Sequence, residues 1–210
     1  MRDVNKFISG FKRFQSDWLG PDAGLFDRLK KGQSPCTMVI ACSDSRVDPL
    51  FLTNSHPGDL FVVRNVANLV PPCEPDAGHH GVSAALEFAV CHLKVDNIIV
   101  MGHSQCGGIK GLMEGVCGCG DHSFISNWVG IAHNAKEKIL AELPDKPLEM
   151  QTGACEKAAI LVSLENLMTF PWLKERVEKH HLALHGWYFD LQAGTLSGYS
   201  ADSNNFELIS

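Results

Sequence analysis

The chain has no excess of basic residues: 18 Lys and Arg stand against 24 Asp and Glu, a formal charge of -6 over 210 residues. Without a cationic surface there is no counterion-release grip on nucleic acid or an anionic membrane, so neither is expected as a partner. Met1 to Gly20 lacks a continuous apolar core, because Arg2, Asp3, Lys6, Lys12, Arg13 and Asp17 interrupt its aromatics. Neither a signal peptide nor a membrane span is expected there, and the expected compartment is the cytoplasm. The eight cysteines are too few and too irregularly spaced for a disulfide framework, which favours thiols, with room for a metal site among them, in a reducing compartment. Internal repeats and low-complexity linkers are missing, and the Pro- and Gly-rich stretch Pro71 to Gly78 is only loop-sized. What is present, 45% hydrophobic and 20% charged residues, suffices for one globular domain over 1–210.

Phe7, Phe11 and Phe14, then Leu25, Phe26 and Leu29, recur at helical spacing and predict an N-terminal helical arm over 1–31, ended by Gly32. Thr37 to Ala41, Leu60 to Val63 and Asn97 to Met101 are short apolar runs of strand formers that read as buried parallel strands. Between the last two, Gly81 to Leu93 carries apolar residues every three or four positions and predicts a crossover helix. Gly102 to Gly108 predicts a tight turn leading into a short helix, Ile109 to Met113. Helices are further expected over Ser126 to Leu143, Gly153 to Thr169 and Trp172 to His181. Leu182 to Asp190 and Thr195 to Ser200 predict a closing strand and its hairpin partner. The fold class is therefore α/β, a mainly parallel central sheet flanked by helices.

In this arrangement Cys42 ends the first strand, and His103 and Cys106 end the third, at the carboxyl edge where open α/β sheets bind ligands. Three nitrogen and sulfur ligands leave tetrahedral zinc one vacant position, as in catalytic sites. Cys42 reaches the other two only if the first and third strands are neighbours. Taken alone, a buried cysteine is a small hydrophobe. The strand-end placement of both halves, the polar run Ser43-Asp-Ser-Arg46 after a buried strand and the glycines flanking His103 and Cys106 favour metal over packing. Asp44 and Arg46 alternate after Cys42, so they can turn toward one pocket and pair, the guanidinium holding the carboxylate at two points.

Ala41-Cys-Ser-Asp-Ser-Arg-Val47, Pro57-Gly58, Val63-Arg-Asn-Val-Ala-Asn68, Gly102-His-Ser-Gln-Cys-Gly-Gly108 and Leu184-His-Gly-Trp187 run in that order over nearly the whole chain. Together they resemble the β-class carbonic anhydrases. The resemblance implies one zinc per subunit on Cys42, His103 and Cys106, and reversible hydration of carbon dioxide to bicarbonate and a proton by a zinc-bound hydroxide. It implies a homodimer or dimer-based higher oligomer, with the helical arm packed on a neighbour. It also implies that Asp44, held by Arg46, orients the hydroxide, and that Asp44 becomes the fourth zinc ligand only in a closed state. By position in the motifs, Phe61, Val66 and Phe88 look like the apolar wall for carbon dioxide, and Gln33 and the Gly107 N–H look like donors to bicarbonate. Two thiolates cancel the formal charge of zinc, so activity is expected to rise above neutrality.

Some bacterial members of this family bind inhibitory bicarbonate through a tryptophan, an arginine and a tyrosine. Here those positions look like Val39, Arg64 and Phe189, so no such inhibition is expected. Gln33-Ser-Pro35 and Gly107-Gly-Ile-Lys-Gly111 look closer to the plant-like branch, whose resting site is open to water. Cys36, Cys73, Cys91 and Cys155 read as ordinary thiols, and Cys117-Gly-Cys119 as a glycine-rich loop without partners for a second metal. His79, His80, His122, His180 and His181 could carry protons, though nothing in the sequence selects one. A serine hydrolase at Ser104 fails as a rival, because Cys106 replaces the second glycine of a nucleophile elbow and Asp44 offers no histidine relay of the usual kind; two others remain, a non-catalytic zinc or redox-sensing binding protein and the same zinc site acting on carbon disulfide or carbonyl sulfide.

Overall fold

A computed structural model describes residues 4–19, 24–76, 78–115 and 123–210, and the chain forms two compact units, Met1–Ser34 and Pro35–Ser210. The N-terminal unit holds α1 (Asn5–Trp18) and α2 (Gly24–Leu29), as the phenylalanine spacing predicts. Phe14 joins them, stacked on Phe11 at 6.0 Å and edge-on to Phe26 at 5.3 Å between ring centroids. Phe7, Ile8 and Phe11 nevertheless stay more than half exposed.

The larger unit is built on β1 (Thr37–Cys42), β2 (Leu60–Asn65), β3 (Asn97–His103), β4 (Ala183–Asp190), β5 (Thr195–Ser200) and β6 (Asn205–Leu208), in the order β2-β1-β3-β4-β5-β6. The first four pair in parallel and the last two close the sheet antiparallel. β1 and β3 are buried over nearly their whole length, which their unbroken apolar sequences require. The chain leaves β2 through α4 (Gly81–Glu87) and passes over β1 to reach β3, so the first and third predicted strands are neighbours, Thr37 to Ala41 beside Asn97 to Met101. β6 goes beyond the predicted hairpin.

Between the strands lie α3 (Pro49–Leu52), α5 (Gly107–Glu114), α6 (Phe124–Val129), α7 (His133–Glu142), α8 (Leu148–Leu167) and α9 (Pro171–Glu178). α8 packs on β3 and β4, and glycine permits the approach: a Cβ on Gly102 would lie 2.8 Å from Ile160 Cδ1. No described helix is long and apolar enough to cross a membrane.

Three helix predictions need correction. The expected helix Gly81 to Leu93 is α-helical only to Glu87 and continues as a π-helix over Phe88–Leu93. Arg176 Nη1 donates to the Val90 carbonyl at 2.6 Å, and the Lys94 N–H turns to Ala89 O instead, five residues back. The expected helix Ser126 to Leu143 is two helices joined by a 3-10 turn, Gly130–Ala132, where glycine weakens the α-helical ladder. α8 starts at Leu148, right after Pro147, instead of at Gly153; the buried Gln151 donates from Nε2 to Leu143 O at 2.8 Å and ties the extra turn down.

Candidate metal centre

Cys42 and His103 are the last residues of adjacent strands β1 and β3, and Cys106 is the N-cap of α5. They are 5%, 1% and 1% exposed, and one ligating atom from each lies within 4.8 Å of the others. The two sulfurs are 4.0 Å apart and the six described cysteines are all free thiols. His103 Nδ1 lies 2.8 Å from Ser104 O, and a carbonyl only accepts, so Nδ1 carries the proton and Nε2 presents its lone pair. That Nε2 is buried without a hydrogen-bond partner. A bare imidazole nitrogen facing two thiols, its tautomer fixed by a bond on the far side, is the donor set a zinc ion takes.

The sulfurs are electrically prepared for a cation. The Cys106 hydrogen bond pulls the Cys42 thiol down against the opposing effect of burial, helped by the His103 ring and the N–H groups of Asp44 and Ala67, while the Cys42 sulfur and burial push Cys106 up. The two sulfurs thus share one hydrogen bond, and a cation placed between them would favour the thiolate form of both.

Asp44 and Arg46 make the expected two-point pair, Nε to Oδ1 at 3.0 Å and Nη2 to Oδ2 at 2.7 Å, and the Arg46 backbone N–H also donates to Oδ1 at 2.9 Å. This clamp holds the Asp44 carboxyl well below the usual carboxylate range. The triad of converging ligands does not include Asp44.

Several supports have no signature in the local sequence. Arg64 donates to Cys42 O at 2.9 Å, to Asp44 O at 2.6 Å and to Asp48 Oδ2 at 2.9 Å, pinning the loop after β1. Asp48 in turn caps α3 through the N–H groups of Leu50 and Phe51. Glu156 of α8, buried, accepts from the Cys106 N–H at 2.9 Å and from the Tyr188 hydroxyl at 2.8 Å, and burial pushes its carboxyl up. The only local hint at Glu156 is its place beside Cys155 on the helix face that carries Ala159 and Ile160.

The remaining expected residues are placed unevenly. Phe61 and Phe88 meet at 5.9 Å between ring centroids. Val66 sits in a 3-10 turn, Val66–Asn68, against α5, where its Cγ1 lies 2.7 Å from where a Gly108 Cβ would be, and Trp128 Nε1 donates to its carbonyl at 2.7 Å. Gly107 is the first residue of α5, so its N–H has no acceptor within the helix. Gln33 is exposed in the Met1–Ser34 unit. Val39 is buried in β1 and Phe189 half-buried in β4. Ser104 Oγ donates to Asp190 Oδ1 at 3.4 Å and accepts from Leu191 N–H at 2.8 Å, with no histidine in that chain of bonds. His80 pairs with Asp76 at 2.6 Å, whereas His180 and His181 line a cavity at the amino ends of β3 and β4, away from the metal edge. Cys117, Cys119 and His122 lie outside the described residues.

The sequence profile of the carbonic anhydrase family matches residues 37–196. Beta carbonic anhydrase 3 of Arabidopsis thaliana is 42% identical over 201 residues, 95% of this chain and 78% of that protein. The solved β-carbonic anhydrase CcaA superposes with a TM-score of 0.88 at 32% identity over 98% of both chains. A structure from a study of two tetrameric β-carbonic anhydrases of Sordaria macrospora does so with a TM-score of 0.76 at 28% identity over 94% of each. A profile that spans most of the larger unit and a relative matched over nearly the full length lead to one conclusion: the chain belongs to the β-carbonic anhydrase family.

Proposed function

We propose that this protein catalyses the reversible hydration of carbon dioxide to bicarbonate and a proton, with one zinc ion held by Cys42, His103 and Cys106. The observation that carries the reading is the convergence of two sulfurs and a bare, buried imidazole nitrogen within 4.8 Å. Zinc held in such a donor set would supply Lewis acidity and one open coordination position, with water activated most fully above neutrality because two thiolates offset the charge of the ion. The chain's own residues orient the reactants. Oδ2 of Asp44 accepts one hydrogen bond from Arg46 and keeps a lone pair for the attacking water, which fixes the direction of the water's own lone pair. The Arg46 clamp opposes rotation of Asp44 toward the metal, which supports an open resting site. Val66, which follows the β2 residue paired with Cys42, supplies apolar wall for carbon dioxide, and the Gly107 N–H donates to a bicarbonate oxygen; Phe61 pairs with Met38, four positions before Cys42, and packs on Phe88, so these two rings lie away from their own chain's triad and serve a carbon dioxide wall only across a subunit interface.

The exposed Phe7, Ile8 and Phe11 of α1 support assembly into a homodimer or a dimer-based oligomer, and the free thiols support a reducing, cytoplasmic compartment. The test is stopped-flow carbon dioxide hydration with metal analysis on the wild type, Cys106→Ser and Asp44→Asn. Cys106→Ser is expected to lose the metal; Asp44→Asn is expected to keep it and turn over roughly 10²-fold more slowly. Equal turnover in all three removes the reading.

A further inference from the structure

The peptide unit that joins Gln105 to Cys106 is gripped at both ends. Its carbonyl, Gln105 O, accepts from Arg46 Nη2 at 3.2 Å, and its amide, Cys106 N, donates to Glu156 Oε1 at 2.9 Å. Gln105 holds φ at 59°, a left-handed conformation that a non-glycine residue keeps only where its surroundings over-determine it. Arg46 and Glu156 both hold the peptide that follows it. Glu156 is 3% exposed on the face of α8 that carries Cys155, Ala159 and Ile160, a costly place for a carboxyl group unless each oxygen is satisfied. Each oxygen has a donor, because Oε2 accepts from Tyr188 on β4 at 2.8 Å. The carboxyl thus links α8 and β4 to the amide of Cys106. Beside it lies a cavity of about 650 Å³ that Arg46, Gln105, Glu156 and Tyr188 help to line.

We infer that Glu156 is a positioning residue for the metal centre, holding the Gln105–Cys106 peptide against Arg46 so that Cys106 Sγ meets Cys42 Sγ and His103 Nε2. This rests on the zinc reading above. The length of the side chain carries the effect, since the contact is a hydrogen bond to a backbone amide. Glu156→Gln keeps both the reach and an accepting oxygen; Glu156→Asp keeps the acid but is one methylene too short to span Cys106 N and Tyr188.

The experiment measures zinc affinity of the full chain by competition with a chromophoric chelator, and the thiolate-to-metal absorption of the cobalt(II)-substituted protein. For Glu156→Gln the expected affinity is within about threefold of wild type with an unchanged cobalt spectrum. For Glu156→Asp it is weaker by about tenfold or more, with a shifted thiolate band, the usual scale for losing a group that orients a ligand. Wild-type affinity and spectrum in Glu156→Asp overturn the inference, as does a loss in Glu156→Gln equal to that in Glu156→Asp. If Glu156→Asp does not fold, Tyr188→Phe replaces it: freeing Oε2 is expected to shift the cobalt band, and an unchanged band overturns the inference. A wild-type protein without zinc affinity sinks the zinc reading and this inference together, whereas zinc binding with activity and an unchanged Glu156→Asp sinks this inference alone.

Discussion

Arg46 serves Asp44 through two parallel bonds and the Gln105 carbonyl through a third. A lysine would bring the charge as a single point, able to hold only part of this geometry. Arg46→Lys is therefore expected to lower turnover by about tenfold or more, read by stopped-flow hydration, and a wild-type rate would show that the planar fork is dispensable. At this scale the sequence was most legible where partners are near neighbours. Cys42, Asp44 and Arg46 lie within one loop, and His103 and Cys106 within one turn. Glu156 acts on Cys106 from 50 positions away and Arg64 on Asp44 from 20, distances at which spacing carries no information. His185 shows the same limit in a different property. Burial in β4 lowers its pKa from 6.5, so the fold favours the neutral ring. The unfolded chain then binds the proton first: the stability this histidine contributes is complete above about pH 6.5 and declines as pH falls through that value toward the lower folded pKa. Urea unfolding of the wild type and His185→Gln from pH 8 to 5 is expected to show the wild type losing ground on the acid side, and a pH-independent difference would remove the assignment.

Elements were legible in kind and less so in extent, because tertiary partners decide their ends. The apolar period over Gly81 to Leu93 is α-helical throughout, yet Arg176 from α9 takes the Val90 carbonyl and a π turn results. Glycines divide on similar grounds. Gly108 and Gly153 both lie in helices and look alike in sequence. A Cβ on Gly108 would lie 2.7 Å from Val66 Cγ1 and 3.0 Å from Ala67 Cβ, and Ala67 holds φ at 65° in a turn with little freedom to retreat. Around Gly153 nothing lies within 4 Å. Gly108→Ala is therefore expected to cost about 1–3 kcal/mol by overpacking, and Gly153→Ala to gain up to about 1 kcal/mol from helix propensity. Denaturant midpoints of the two variants should move in opposite directions; a shift in the same direction would contradict the packing described for the Val66 turn.

For the molecule as a whole, the decisive feature is that β1 lies between β2 and β3, which brings Cys42 beside a strand that starts 55 residues later. The motif order gave that adjacency through resemblance; the apolar runs alone allowed other strand orders. Its energetic consequence is that the three candidate ligand atoms come from β1, β3 and the start of α5, and these meet only when the parallel sheet is assembled. Cys42 and Cys106, 64 positions apart, are not preorganised in the unfolded chain, so an ion that binds all three ligands binds the native state almost exclusively. Free zinc at 100 times its dissociation constant then adds about 2.7 kcal/mol to stability. Calorimetry with and without a chelator is expected to show a lower Tm for the stripped protein, restored by zinc, and no response to zinc in Cys106→Ser. A wild-type Tm indifferent to zinc would mean that the three side chains meet for packing alone, and that the carboxyl edge of β1 and β3 holds no metal.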